Sequence, residues 1–318
     1  MSTEEQLRSG ESAAPWLLRA QGISKGFGAR HALDDLSLTM TPGEIVGLVG
    51  SNGSGKTTTL RILAGLLKAD SGEGDVLGFD LFSRSGEIRR RVGYLSQRDS
   101  LYGSLTVREN LSFRAEAFGL GDPAGSIAAA LDQFGLHPFA DQRADRLSGG
   151  WARTLQLAVA LLHGPSVVML DEPTAGLDLA ARQSVWRHLT RLAGEGKALL
   201  LSTHDLLDAS RCSRIMLLSQ GRVRVNARPQ DIVCATEITV LVIFGPRALT
   251  LVDLLQGIPG VITSYPSGAG LRLLMRPSAQ QRATAVAEAH DFSVERVDPT
   301  IEDAFLGLAQ PQIETLTS

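Results

Sequence analysis

A short apolar strand that runs into a glycine-rich turn constrains this chain more than any other feature. Residues Ile45–Val49 have the composition of a strand that is covered on both faces. The turn Gly50–Thr57, Gly-Ser-Asn-Gly-Ser-Gly-Lys-Thr, fits G-x-x-x-x-G-K-[ST] without a mismatch, and Thr57–Leu67 has helical spacing of apolar residues. Glycines let backbone amides curl around a phosphate, and the start of the helix faces the anion. The segment therefore predicts a phosphate-binding loop, with Lys56 at the β- and γ-phosphates and Thr57 on Mg²⁺.

Three further apolar runs are typical of buried central strands: Val92–Leu95, Val167–Leu170 and Ala198–Leu201. Helical patterns separate them, which predicts a mostly parallel α/β sheet. Between the first two of these runs, residues 107–162 are largely helical in pattern and predict a separate helical lobe. Ahead of the glycine-rich turn, the chain from Trp16 onward has the pattern of short strands and turns.

The carboxyl-terminal part has a different pattern, which begins after a change of composition near Arg228 and Pro229. We expect a tail at 1–15, a larger domain at 16–235 and a smaller domain at 236–318. The smaller domain is predicted to contain, in order, a strand (Ile238–Phe244), a helix (Leu249–Gln256), two strands (Val261–Ser264 and Leu271–Met275), a helix (Ala279–His290), a strand (Ser293–Val297) and a closing helix from Ile301. That order predicts a small α+β, ferredoxin-like module.

Composition argues against several classes of protein. The net charge is -3, from 31 basic and 34 acidic side chains, with no long basic run, so we expect no nucleic-acid partner. The two cysteines, Cys212 and Cys234, are expected to be reduced thiols because no C-x-x-C or histidine-rich pattern accompanies them. The first fifteen residues are polar and predict a loose tail, not a signal peptide. No stretch approaches the roughly 20 apolar residues that a membrane span needs.

Two further sites carry charge or amides at the ends of predicted elements. Asp171 ends an apolar strand, where it can hold Mg²⁺ through water, and Glu172 can polarise an attacking water as a general base. The alternative interpretation of such a pair is a solvated strand end. The turn Ser148–Gly150, ahead of the helical pattern Trp151–Leu162, offers amides to a second anion, although by itself it is most often a loop.

Taken together, these segments resemble the ABC ATPase family over roughly residues 17–235. The resemblance rests on an ordered set of elements, namely Gly50–Thr57, Gln97 after its strand, Leu147–Gly150, Asp171-Glu172, Ala175–Asp178 and His204. It implies a P-loop NTPase fold with a parallel sheet core, an antiparallel β subdomain and a helical subdomain. It also implies ATP and Mg²⁺ as cofactors, and a pair of domains meeting head to tail.

The resemblance assigns roles residue by residue. Catalysis would involve Lys56, Gln97, Glu172 and His204. The Mg²⁺ ligands would be Thr57, Gln97 and Asp171. The nucleotide would be held by Phe27, Gly50, Ser51, Asn52, Gly53, Ser54, Gly55, Lys56, Thr57, Thr58, Ser148, Gly149, Gly150 and Asp178, the last also supporting the dimer contact. Phe27 stands where the family stacks an aromatic ring on adenine, and a core phenylalanine is the equal alternative. In the family, the segment that matches Leu147–Gly150 is called the signature. Trp151 and Ala152 depart from the residues that usually follow it, which leaves details of the nucleotide contact open.

The segment Pro299–Phe305 gives a looser resemblance to the ATPase subunits of type-2 ABC exporters. It implies a subunit that energises a separate integral-membrane permease from the cytoplasmic face of the membrane. Within residues 97–111, Tyr102 and Glu109 are the hypothetical contacts with that permease. The alternative functions are an import ATPase and a soluble ABC ATPase with no transport role. The alternative role for the carboxyl-terminal module is a packing extension that only stabilises the dimer.

Overall fold

The computed structural model describes residues 16–308, apart from positions 29, 98, 99, 246 and 269. The predicted tail at 1–15 lies outside the described residues. Two compact units divide the chain, one ending at Asn226 and the other beginning at Ala227. The helix Pro229–Ala235 therefore groups with the second unit, whereas the sequence boundary assigned it to the first.

The first unit contains, in chain order, β1 (Leu18–Phe27), β2 (Arg30–Met40), β3 (Ile45–Val49), α1 (Lys56–Leu63), β4 (Ser71–Val76), β5 (Phe79–Asp80), α2 (Ser85–Arg91), β6 (Val92–Leu95), α3 (Val107–Phe118), α4 (Pro123–Gln133), α5 (Gly149–Leu161), β7 (Val167–Asp171), α6 (Leu179–Gly194), β8 (Ala198–Thr203), α7 (Leu206–Ala209), β9 (Arg214–Ser219) and β10 (Arg222–Ala227).

The central sheet of this unit has the strand order β10-β9-β3-β8-β7-β6. Strands β9, β3, β8, β7 and β6 pair in parallel, and every residue of β3, β7 and β8 is buried, as their apolar composition predicts. Parallel strands end at one edge of a sheet, so the loops after β3, β6, β7 and β8 meet there. In open α/β sheets this edge is where ligands bind.

An antiparallel sheet of order β2-β1-β4-β5 packs against the same core. Strands β1 and β2 are 10 and 11 residues long, longer than the short strands expected from the sequence. Leu36 of β2 and Leu60 of α1 belong to one buried cluster with Val46 and Met169 of the central sheet. Helix α1 is thereby anchored from both sheets, which holds the loop in front of it.

The helical lobe consists of α3, α4 and α5, as the pattern of residues 107–162 predicted. Helix α3 begins with a capping box, in which the Thr106 hydroxyl accepts from the Glu109 amide at 3.1 Å and the Glu109 carboxylate accepts from the Thr106 amide at 2.7 Å. The backbone bond from Thr106 is the main reason that the pKa of Glu109 is lowered. This carboxylate therefore has a structural partner of its own.

The second unit contains α8 (Pro229–Ala235), β11 (Thr239–Phe244), α9 (Val252–Gln256), β12 (Val261–Ser267), β13 (Gly270–Met275), α10 (Gln280–Ala289), β14 (Ser293–Val297) and α11 (Ile301–Leu308). Its antiparallel sheet has the order β12-β13-β11-β14. This is the predicted ferredoxin-like arrangement, with α9 and α10 over one face and α11 contacting the other.

An ionic cluster anchors α11 to this sheet. The Asp303 carboxylate is fully buried and accepts from Arg272 Nε at 2.9 Å, Tyr265 Oη at 2.7 Å and the Thr300 amide at 2.7 Å. Burial acts to raise the pKa of Asp303, but these donors outweigh it and the pKa is lowered. Asp303 therefore remains ionised and holds the start of the closing helix.

Candidate functional site

The phosphate loop, Gly50–Thr57, joins β3 to α1 in a space that excludes larger residues. Gly55 has φ of 114°, and a Cβ there would lie 2.6 Å from the Ala32 carbonyl oxygen and 2.7 Å from Leu33. A Cβ on Gly50 would lie 2.3 Å from the Leu218 carbonyl oxygen. The glycines that the sequence pattern requires are thus required by the packing of the loop against its neighbours.

Two side chains inside the phosphate loop fit an anionic ligand. Lys56 is 6% exposed, and its Nζ donates to the carbonyls of Gly50 at 2.7 Å and Ser51 at 3.1 Å. Burial lowers the pKa of Lys56, against the opposing effects of Glu172 and Asp171. The Ser54 hydroxyl is buried and has no hydrogen-bond partner among the described residues. A buried ammonium and a buried hydroxyl without an acceptor suit phosphate oxygens.

Asp171 lies beside the phosphate loop at the end of β7. It is 2% exposed, and its Oδ1 accepts from Thr57 Oγ1 at 3.0 Å and from Ser202 Oγ at 2.6 Å. Thr57 and Asp171 together offer the hard oxygen donors that Mg²⁺ prefers, so the residues fit that ion. The structure brings these two predicted ligands into direct contact.

Glu172 forms a cluster with two other predicted catalytic residues, which we call the Glu172 cluster (Gln97, Glu172 and His204). Its Oε1 lies 3.0 Å from His204 Nδ1, and its Oε2 accepts from Gln97 Nε2 at 3.4 Å. Gln97, Glu172 and His204 come after β6, β7 and β8, respectively, and these three strands end at the same sheet edge. Glu172 has φ of 48°, a left-handed conformation that is uncommon for a non-glycine residue and frequent at functional sites.

Comparison with known proteins decides the family. A family model described as ABC transporter matches residues 33–175. The chain is 36% identical over 301 residues to Nod factor export ATP-binding protein I of Rhizobium sp. (strain N33), covering 92% of this chain and 97% of that protein. The chain belongs to the ABC transporter family.

Two further likenesses agree with this family. The chain is 38% identical over 218 residues to the probable multidrug ABC transporter ATP-binding protein YbhF of Escherichia coli (strain K12). That match covers 68% of this chain but only 38% of YbhF, so the chain spans less than half of that relative. A solved dimeric, post-hydrolysis structure of the ATP-binding cassette MJ0796, bound to ADP and Pi, is 27% identical, with a TM-score of 0.61. It covers 66% of this chain and 98% of the MJ0796 chain, which confirms the ABC ATPase fold.

The predicted ABC signature turn, Ser148–Gly150, lies at the start of α5. Ser148 and Gly149 are exposed, as is Asp178, which caps α6 by accepting from the Ala181 amide at 2.8 Å. Among the described residues, no hydrogen bond or ion pair joins these positions to the phosphate loop. A Cβ on Gly150 would lie 2.7 Å from Ala181 Cβ, so close packing of α5 on α6 requires glycine there.

Phe27 and Thr58 take different positions. Phe27 is 53% exposed at the end of β1, which excludes the alternative of a core phenylalanine, and stacking on adenine remains a prediction. Thr58 is half-buried in α1, directly after the phosphate loop. Trp151, one of the two departures after the signature, packs on Phe139 with ring centroids 4.6 Å apart.

Three residues that the sequence did not single out support this site. Ser202 of β8 donates to Asp171 and accepts from the Glu172 amide at 2.9 Å. Arg153 of α5 is buried against the main chain at Asp171 and Glu172. Asp208 of α7 anchors the segment after Glu172. Ser202 stands two residues before His204, and this proximity is the one local signal that could have identified it.

Across residues 16–308, apart from the five undescribed positions, no helix combines the length and apolar character that crossing a membrane requires.

Proposed function

We propose that this chain binds ATP with Mg²⁺, hydrolyses it, and energises a separate export permease. The observation that carries the proposal is the Glu172 cluster, which lies at the sheet edge next to the phosphate loop. In this arrangement Glu172 accepts the proton of the attacking water, while His204 and Gln97 hold the carboxylate in place. The chemistry requires little covalent participation by the protein beyond positioning and charge stabilisation.

The remaining predicted site residues bind the nucleotide and the metal ion. Lys56 and the amides of the phosphate loop bind the phosphate oxygens. Thr57 and Asp171 would hold Mg²⁺, with Gln97 as the further predicted ligand, and the bound ion would neutralise phosphate charge. Exposed Phe27 would supply the ring that stacks on adenine.

A complete site takes two chains. Ser148 and Gly149 of the signature turn are exposed, and the turn carries the free amides of a helix start. In the described part of the chain no hydrogen bond joins the turn to its own phosphate loop, which suits a role in capping a triphosphate held by another protomer. Asp178 would support that contact. Support also comes from the similar MJ0796 cassette, which is dimeric. Because the sequence carries a single copy of each motif, we propose a homodimer or a pair with another ABC subunit.

The export assignment rests on the relatives. The Rhizobium protein, which matches both units of this chain, is named as an export subunit, and YbhF is named as a probable multidrug subunit. A permease would hold this chain at the cytoplasmic face of the membrane. We propose that it contacts the exposed pair Tyr102 and Phe113, whose rings meet edge to face with centroids 4.7 Å apart. Glu109 contributes to that surface mainly by capping α3.

The decisive experiment is Glu172→Gln in the full-length protein. The variant should bind ATP, lose at least roughly a hundredfold in turnover because the general base is gone, and accumulate as an ATP-bound dimer. ATPase assays and size-exclusion chromatography with ATP would measure both effects. Glu73→Gln, the same change at an exposed position of β4, is the matched control and should leave both unchanged. Undiminished turnover in Glu172→Gln would remove this residue as the base.

Co-purification tests the transport part separately. Full-length protein recovered from membranes should bring with it an integral-membrane subunit, which mass spectrometry identifies. An extracellular solute-binding protein in the same complex would contradict export and favour import.

A further inference from the structure

Arg153 places a charged group inside the first unit, one turn after the signature turn. The residue lies in α5 and is 8% exposed. A guanidinium removed from water must have its donors satisfied by protein groups, because a buried charge without partners is strongly unfavourable. Its surroundings show where those partners come from.

The guanidinium binds the backbone that carries the catalytic carboxylates. Its Nη2 donates to the carbonyls of Asp171 at 3.1 Å and Glu172 at 2.6 Å, and its Nε donates to the Pro173 carbonyl at 2.8 Å. Three consecutive carbonyls, from the last residue of β7 and the two residues after it, are thus held by one side chain. This segment includes Glu172 in its left-handed conformation, so the clamp fixes the direction of its carboxylate.

The same guanidinium reaches the residue before Gln97. Its Nη1 donates to the Ser96 carbonyl at 3.2 Å and to Gln156 Oε1 at 2.7 Å. Gln97 and Glu172 lie 75 positions apart in sequence, yet their side chains meet at 3.4 Å. Arg153 therefore holds both sides of that contact through the main chain.

The signature turn and this clamp belong to one helix. Ser148 precedes Arg153 by five residues, about 7.5 Å along a helix axis, and a single short helix moves as a rigid element. Ser148 is exposed, whereas the guanidinium is bonded to the catalytic segment. A displacement of the signature turn therefore reaches Glu172 and Gln97 through Arg153.

We propose that Arg153 is a positioning residue through which the signature end of α5 sets the orientation of Glu172 and Gln97 in its own protomer. The inference rests on the proposed dimeric ATPase, in which the signature turn caps the partner's triphosphate. Binding of ATP at one site then aligns the base of the other. Arg153 supplies the mechanical connection that makes the two sites cooperative.

Arg153→Lys in the full-length protein tests the proposal. The lysine ammonium is a compact point charge. It cannot donate at once to the Ser96 carbonyl and to the carbonyls of residues 171–173, as the planar guanidinium does. We expect turnover to fall by roughly tenfold, because misplaced catalytic groups cost that much or more, and the Hill coefficient for ATP to fall from above 1 to about 1. The Kd for a fluorescent ATP analogue should stay within about twofold, since the phosphate loop is untouched.

The control is Arg90→Lys, the same change at an exposed position of α2, which should alter none of these quantities. Unchanged turnover and cooperativity in Arg153→Lys would overturn the proposal, as would a loss of ATP affinity parallel to the loss of turnover. If Arg153→Lys fails to fold, Gln156→Ala decides, since it removes the acceptor at 2.7 Å that orients the guanidinium toward the carbonyls. Reduced cooperativity with unchanged affinity supports the proposal, and wild-type behaviour overturns it. A wild-type protein without ATPase activity would instead refute the proposed function.

Discussion

Ser202 illustrates how single residues outside the recognisable motifs orient the site. Its hydroxyl donates to Asp171 at 2.6 Å and accepts from the Glu172 amide at 2.9 Å, so one side chain aligns both acidic residues. The residue is fully buried, and cross-strand register places it opposite Asp171. Such a hydroxyl acts on the reaction only by holding other groups.

Replacing Ser202 by alanine should therefore slow hydrolysis without unfolding the protein. Loss of a hydrogen bond to a charged group costs about 1.5–3 kcal/mol, so we expect turnover to fall by roughly tenfold to a hundredfold. Steady-state ATPase assays measure the effect. Ser210→Ala, where the hydroxyl donates to a nearby carbonyl at an exposed position, is the control. Equal rates in the two variants would contradict a positioning role for Ser202.

At the scale of elements, Asp208 ties α6 and α7 to the segment that follows Glu172. It is 1% exposed and accepts from Arg182 Nε at 2.9 Å, from Trp186 Nε1 at 2.6 Å and from the Thr174 hydroxyl. Arg182 also pairs with Asp205, whose side chain is 37% exposed. The two aspartates therefore share one arginine but differ in burial.

This difference predicts unequal effects of the same substitution. Asp208→Asn removes the buried charge that balances Arg182 and should lower the free energy of unfolding by about 3 kcal/mol. Asp205→Asn keeps the cap of α7 and breaks only a partly exposed pair, so it should cost less than about 1 kcal/mol. Urea unfolding of both variants measures the contrast. Equal decreases in the free energy of unfolding would show that the burial of Asp208 adds nothing to its contribution to stability.

At the scale of the whole molecule, the two units have separate cores and separate sheets. In the second unit, Asp303 joins α11 to the sheet through Arg272 and Tyr265. Burial raises the pKa of Tyr265, as does its bond to Asp303. That cluster contains none of the residues proposed to bind nucleotide.

Asp303→Asn should therefore destabilise the second unit selectively. Removing one member of a buried ion pair costs about 3–5 kcal/mol, so calorimetry should show one transition shifted to lower temperature and the other unchanged. ATP affinity measured at a temperature where both units are folded should match the wild type. A single transition that shifts as a whole would show that the two units unfold together.

Features that depend on residues close together in the sequence were predictable, whereas contacts between residues far apart in the sequence were not. The phosphate loop, the strand before it and the ferredoxin-like order were predictable, because each depends on patterns within a few residues. Arg153 and Asp208 escaped prediction because their partners lie far away in the sequence. The main-chain partners of Arg153 are 18 to 57 positions away, and the side-chain partners of Asp208 are 22 to 34 positions away. Phe27 could not be assigned between surface and core, since an aromatic residue at a strand end occurs in both places.

The sequence by itself determined the family, the parallel core and the residues at the ends of its strands, because motif order and apolar periodicity are local and one-dimensional. Only the tertiary structure decided which of those residues touch. It brought Gln97, Glu172 and His204 to one edge, gave Ser202 its two partners, and buried Arg153 against the catalytic segment. The physical reason is that a buried charge or hydroxyl must find its partners in space, wherever the chain has placed them.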